Sequence, residues 1–552
     1  MHSRFMAVAL VVVLVAHAQD PTPMPFFPKS DYFRTIFEKP KSSVQIQEPV
    51  KLQDYVVGDK LELSLRAYLE LVAANNTDIA ISRLTIETAR NAITRSYSPF
   101  DPLGTASFLS TRNTAPTTTV LAGANTLKTL NQPLNLAYSQ TLMTGTQYNV
   151  SFFGGKSTTN DSFTVFNPQY STQLRMDFTQ PLIRGRGTYI QKLPIMVARS
   201  RLRQTEHNLK DTLLRLFSQA ELIYWRAIEL RENLRVQERA LDLAAEFLKR
   251  SRRELELGAI SRLDIYQPEF QFAQAQANVT QNRYLVAQQD DAIRRQIGAD
   301  LDPMIRKLPI VLTEAVAPPT NPQTIDPEVA VNRALAARPD LRAAMQALDV
   351  DDLTIQQASN ALKPDFSLSG RYISQGRGGT FLQRQNVFTE TGQTTVSRII
   401  PGGIGDSLDQ LFGFGFPLYE FGVRLRLPIR DRSAQANLAD ALVSKKRDAL
   451  TVRTTEQQIR LDVLTAVNQV EASKDAVELQ LKSLDFARKR LDAENKRYEL
   501  GTSQIFLVLQ AQTDQITAEA QVVTQSVNYR RNLLNLLRMT GELLDERGIL
   551  IQ

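Results

Sequence analysis

The 552-residue chain contains no cysteine and only three histidines. The first absence removes thiol catalysis, disulfide frameworks and cysteine-ligated zinc. The second removes nearly every histidine-centred site. His2 and His17 lie in a segment expected to be cleaved, which leaves His207 alone between Glu206 and Asn208, with no second imidazole to share a metal. No cofactor or metal site is therefore expected. Long apolar runs are missing as well. Beyond the N-terminal Met6 to Val15, no uninterrupted apolar stretch approaches the roughly 18 residues of a membrane-spanning helix, so if the mature chain enters a membrane it must do so as a barrel. Charge of one sign is also lacking, although the formal net charge is +7. Lys249, Arg250, Arg252, Arg253, Lys445, Lys446, Arg447, Arg488, Lys489 and Arg490 are interleaved at helical spacing with Glu254, Glu256, Asp448, Asp485 and Asp492. That pattern makes solvated helix faces and excludes a nucleic-acid stripe. Carboxylate pairs sit on the same polar helices, with no apolar pocket to raise a pKa, so no enzymatic activity is expected.

What is present begins with Arg4, the apolar run and Ala16-His17-Ala18, the pattern of a secretory signal over residues 1–18. Residues 19–57 hold Pro21, Pro23, Pro25, Pro28, Pro40 and Pro49, a proline density that forbids a helix and predicts an extended arm. The remainder says one thing twice. Glu256-Leu257-Gly258 is followed by Gln267, Ala275, Ala277, Val279, Arg295 and Gly298; Glu499-Leu500-Gly501 is followed by Gln510, Ala518, Ala520, Val522, Arg538 and Gly541, at a constant offset of 243 residues. Solenoid repeats have periods of about 20 to 50 residues, so this is a duplicated half-protein. The first repeat spans residues 58–298, a proline-marked linker spans 299–324, the second repeat spans 325–541, and a tail runs over 542–552.

Each repeat shows the same order of patterns. A helical stretch breaks near Asn75-Asn76, or at Arg338-Pro339-Asp340, and stops at Ser98-Pro99 or Lys363-Pro364. The period then switches to two. Leu134, Leu136 and Tyr138, then Tyr148, Val150 and Phe152, then Leu174, Met176 and Phe178 alternate with polar residues inside 103–181. Phe366, Leu368 and Tyr372, then Val423, Leu425 and Leu427 do so inside 365–430, where Gly376 to Gly422 is expected to be a surface loop. Strands of about 9 to 11 residues suit a bilayer. Arg371, Arg424 and Arg426 must then face water, because a cation on the lipid side costs about 2 to 4 kcal/mol at mid-depth. One chain has too few strands to bury either face, so several copies must share a barrel. Very long helices follow over 188–298 and 432–541. Pro194 alone interrupts Tyr189 to Leu257, near the start where proline is tolerated. Val452, Ile459, Val463, Ala466, Val470, Val477, Leu481, Leu484, Leu491 and Tyr498 form a heptad seam of near-parallel helices. Gly258 and Gly501 mark the tips of two helical hairpins.

The cleavable signal, the doubled order of helix, strands, very long helix, tip and return helix, and the tip phrases Tyr498-Glu499-Leu500-Gly501-Thr502 and Glu256-Leu257-Gly258-Ala259-Ile260 resemble the TolC family of outer-membrane efflux channels. The resemblance runs from about residue 60 to residue 541. It implies a mainly α chain with a membrane β-barrel part. Three identical subunits would pool strands into one barrel in outer-membrane lipid and helices into a periplasmic tunnel. It also implies a passive exit duct serving a periplasmic adaptor and an inner-membrane transporter, both docking at the tips near Gly258 and Gly501. By the same resemblance Tyr498 and Asp264 fall on positions that latch the periplasmic end shut. Leu507 and Gln510 stand where the family's type member has a pair of constriction carboxylates, and Ser503 stands where it has an arginine. An apolar ring of Leu507 would weaken cation selectivity.

The first-half strands depart from the two that the resemblance implies. Either Met143 to Thr146 is an inner turn and there are four strands, or part of Leu134 to Phe153 is an external extension. The competing reading of the whole chain is a periplasmic coiled-coil adaptor or structural stalk, which would carry one hairpin flanked by compact β modules.

Overall fold

A computed structural model describes residues 50, 52–118, 122–258, 260–315, 325–385 and 395–549. The expected signal segment, most of the proline-rich arm and part of the linker lie outside the described residues. Strands β1 (Val56–Val57) and β2 (Lys60–Leu63) precede helices α1 (Leu65–Asn75) and α2 (Thr77–Ser96). Then come β3 (Leu103–Phe108), β4 (Thr111–Pro116), β5 (Thr126–Thr141), β6 (Gln147–Thr159) and β7 (Phe166–Pro181), followed by α3 (Thr188–Glu256) and α4 (Tyr266–Ile297). The second series runs β8 (Ile310–Leu312), α5 (Pro327–Ala337), α6 (Pro339–Ala361), β9 (Asp365–Gln385), β10 (Thr395–Ile400), α7 (Ile404–Phe412), β11 (Pro417–Arg426), α8 (Arg432–Glu499), α9 (Ile505–Thr540) and α10 (Leu543–Glu546). Two compact units result, and each draws on both repeats.

Capping chemistry sets the helix starts. Buried Asn76 separates α1 from α2: its Oδ1 accepts from the backbone N–H of Asp78 at 2.9 Å and of Ile79 at 3.2 Å, and its Nδ2 donates to Gln296 Oε1 at 2.7 Å. Asp326 caps α5 by accepting from Glu328 N at 2.9 Å, with Pro327 in the first turn where its missing N–H costs nothing. Both long helices keep to the bounds that proline allowed, with 69 residues in α3 and 68 in α8. At 1.5 Å per residue each is roughly 100 Å long. The seam is the buried face of α8, where Ile459, Val463, Ala466, Val470, Val477 and Leu484 are buried; Leu481 lies off it and is exposed.

One unit comprises the described chain up to Thr94, His207–Pro339 and Glu456 onward. Its core gathers Leu61, Leu63, Tyr68, Leu71, Leu213, Phe217, Tyr224, Ile293, Ile297 and Leu534. A three-stranded sheet β1-β2-β8 covers it, with β2 and β8 parallel, so the stretch expected to be a linker contributes a strand. The tail is anchored too. Arg547 grips buried Glu221 through two N–H bonds of 3.0 and 2.7 Å, and the Trp225 indole N–H donates to the same carboxylate at 3.1 Å. A bidentate pair satisfied on every side is how a buried carboxylate is tolerated. His207 is half-buried on α3.

The other unit, Arg95–Glu206 and Asp340–Thr455, is built on one antiparallel sheet. Its order is β10-β9-β7-β6-β5-β3, with β11 beside β9 below β10 and β4 beside β5 above β3. Six ribbons thus lie side by side. The register puts Leu136, Tyr138, Val150, Phe152, Leu174, Met176, Tyr372, Tyr419 and Phe421 on one face. Asn135, Ser139, Asn149, Ser151, Arg175, Asp177, Arg371 and Glu420 occupy the other. A charge ladder crosses three strands on that polar face, from Arg175 to Asp177 at 2.6 Å, Asp177 to Arg371 at 2.7 Å and Arg371 to Glu420 at 2.8 Å.

The four-strand alternative is the one observed in the first half. Leu142 N bonds Thr146 O at 2.7 Å, which closes the turn between β5 and β6. The surface-loop expectation for Gly376 to Gly422 is corrected: its described part is strand β9, strand β10, helix α7 and strand β11, and residues 386–394 lie outside the described residues. The glycines there serve close packing. A Cβ on Gly376 would stand 1.9 Å from the Ser407 carbonyl oxygen, so only glycine lets α7 lie against the sheet, where Ser374 Oγ donates to Leu411 O at 2.7 Å.

Candidate functional site at the hairpin tips

Each long helix ends on the same backbone device. Gly258 has φ +74° and Gly501 φ +73°, a left-handed conformation in which any other L-residue is strained. The Gly258 N–H bonds Leu255 O at 3.0 Å and the Gly501 N–H bonds Tyr498 O at 2.9 Å, so both helices terminate alike. Leu257 and Leu500, equivalent across the repeat, are each 78% exposed. Leu263 and Phe506, equivalent again, are also exposed. The duplication therefore displays two matched apolar knobs on each tip.

The hydroxyl of Tyr498 donates to Glu254 Oε2 at 3.0 Å, joining α8 of the second repeat to α3 of the first. Burial is the largest cause that pushes the Tyr498 phenol up to about 12; the Glu254 bond and charge act the same way, Arg250 opposes them, and Asp264 adds to them. A phenol held neutral is a hydrogen-bond donor at every physiological pH. Asp264 is close enough to be felt but is not the acceptor. It is exposed, and its Oδ2 accepts from Ser261 N at 3.1 Å within its own turn before α4. Ser503 donates to Glu494 Oε2 at 2.8 Å, and Arg497 pairs with the same carboxylate at 2.9 Å. At the start of α9, Val508 and Leu509 are buried, which turns Phe506, Leu507 and Gln510 outward.

Sequence reasoning missed Glu254 and Glu494. A signal for the first was available, because Glu254 stands one position from the repeat equivalent of Tyr498, so the two lie at nearly the same height on their hairpins. Among the described residues no cluster of three or more His, Asp or Glu side chains could hold a metal. No described helix is long and apolar enough to cross a membrane.

Residues 330–542 match the family model described as outer membrane efflux protein. The outer membrane efflux protein BepC of Brucella suis biovar 1 (strain 1330) is 22% identical over 358 residues, 64% of this chain and 70% of that protein. Among solved structures, a membrane protein from Pseudomonas aeruginosa superposes with a TM-score of 0.60 at 18% identity, covering 92% of this chain and 96% of that one. The CmeC outer membrane channel of Campylobacter jejuni gives 0.60 at 14% identity, over 87% and 86% of the two chains.

Proposed function

From the match of residues 330–542 to the outer membrane efflux protein family, we propose that three copies of this chain form a passive, gated exit duct, joined at their hairpin tips to a periplasmic adaptor and an inner-membrane transporter. The observation that carries the reading is the sheet. In the lower half of the sheet one face is apolar across β5, β6, β7, β9 and β11 and the other bears a salt-bridged charge ladder, the division a wall needs between lipid and water. A periplasmic adaptor or stalk has water on both sides and no use for such an apolar face.

The tips supply gate and dock. Breaking the Tyr498 to Glu254 bond separates the two hairpins of one subunit, so this pair is the latch, with Asp264 contributing charge rather than the bond. Leu507 and Gln510 of three subunits would line the constriction, and Ser503 holds its own hairpin through Glu494. Leu257, Leu263, Leu500 and Phe506 offer the adaptor repeated apolar contacts around Gly258 and Gly501. Work would come from the partner pump, since this chain supplies a path and a gate. Fractionation with unheated and boiled electrophoresis tests the reading. Outer-membrane recovery with heat-modifiable migration supports it; a soluble periplasmic pool refutes it.

A further inference from the structure

The geometry points to a barrel wall in which each subunit contributes six strands, so that three copies close eighteen strands and not twelve. This rests on the trimeric channel reading above. The count per subunit comes from register. Phe108, Leu134, Gly154, Thr172 and Gly376 are linked in series by β3·β5, β5·β6, β6·β7 and β7·β9 pairing and so lie at one level of the sheet. Below that level the apolar face includes Leu136, Tyr138, Val150, Phe152, Leu174 and Met176. The β5–β6 hairpin carries the same apolar band as β7 and β9. Above it the same face becomes mostly polar, with Arg112, Thr114, Lys128, Gln132, Lys156 and Thr158 beside Leu130 and Tyr170. If β5 and β6 were an extension standing clear of the membrane, their lower halves would have no reason to be apolar on one side only.

Both open edges agree with this level. The β3/β4 edge breaks at Leu109-Ser110, and the β10/β11 edge breaks where α7 packs on Gly376. Each edge therefore has a lower strand, six residues in β3 and ten in β11, and an upper strand beyond it. On the apolar face the lower strands, β3 and β11, carry exposed Phe108, Phe421, Val423 and Leu425. With six ribbons the chain enters on β3 and leaves on β11 in opposite directions, so β3 of one copy can pair antiparallel with β11 of the next and no edge remains. Strands about 4.8 Å apart at a tilt of about 40° close eighteen into a backbone ring about 36 Å across, against about 24 Å for twelve. The consequence is a wider exit lined by small polar residues such as Ser139, Ser151 and Asn149.

Because the chain has no cysteine, single-cysteine variants of the full protein report without background. In proteoliposomes, Asn149→Cys should react with a membrane-impermeant maleimide, whereas Val150→Cys and Leu136→Cys should lose that labelling. Equal labelling of residues 149 and 150 would overturn the assignment. Cryo-electron microscopy of the purified particle in nanodiscs separates this proposal from the one beneath it, because it counts strands per subunit and subunits per ring independently. Six wall strands per subunit sustain the inference at any ring size; four, with the β5–β6 hairpin outside the wall, refute it.

Discussion

Replacing Tyr498 by phenylalanine removes one oxygen and leaves the ring in place. The lost bond is phenol to carboxylate, a class worth about 1.5 to 3 kcal/mol net when shielded from water. Tyr498 and Glu254 are only half-buried, so water replaces part of it and about 1 kcal/mol per subunit is a fair figure. If three subunits open together, the closed state loses about 3 kcal/mol, and at 1.4 kcal/mol per factor of ten the open population rises by about two orders of magnitude. Single-channel recording in planar bilayers reads this directly as open probability. Asp264→Ala should have the smaller effect, because Asp264 bonds Ser261 and reaches Tyr498 only through charge. An unchanged closed state in Tyr498→Phe, or an Asp264→Ala effect exceeding it, would refute this assignment of the latch.

The pH dependence of the latch has a defined sign. The folded state raises the phenol from 10.0 to about 12, so its contribution is complete below pH 10 and is lost as pH climbs toward 12. Open probability should therefore be flat from about pH 7 to 9 and rise between about 10 and 12, and the rise should be missing in Tyr498→Phe. Leu507→Asp should place three carboxylates at the constriction and shift the reversal potential toward cation selectivity; an unmoved reversal potential would remove Leu507 from the pore lining. Val150→Arg should cost about 2 to 4 kcal/mol and impair membrane assembly, whereas Asn149→Arg on the opposite face should be tolerated. Heat-modifiable migration of the two variants is the measurement. Gly376→Val should force α7 off the sheet and cost about 1 to 3 kcal/mol, seen as a lowered melting temperature of the assembled particle.

Periodicity carried most of the architecture. Asn76 announced the break between α1 and α2, the seam from Ile459 to Leu484 announced its buried face, and the repeated Gly258 and Gly501 announced both tips. What stayed hidden depended on contacts distant in sequence. Gly376, Gly378 and Gly379 suggest a loop by composition, yet two of them are glycine because α7 and its N-cap lie against them, with Cβ positions at Gly376 and Gly378 only 1.9 and 2.4 Å from the carbonyl oxygens of Ser407 and Gly403. The three residues of β8 look like linker because their strand character comes from pairing with β2, more than 240 residues away. Glu254 is one acid among many on a polar helix until α8 brings Tyr498 beside it.

The claim beneath the whole account is that copies of this chain enclose a water-filled path through a membrane. Adding the purified full-length protein to a planar bilayer tests it in one step. Discrete, ohmic current steps are expected from each inserted particle, with the open level occupied more of the time in Tyr498→Phe. A bilayer that stays electrically silent after reconstitution is confirmed, in both the unaltered and the unlatched protein, would contradict it.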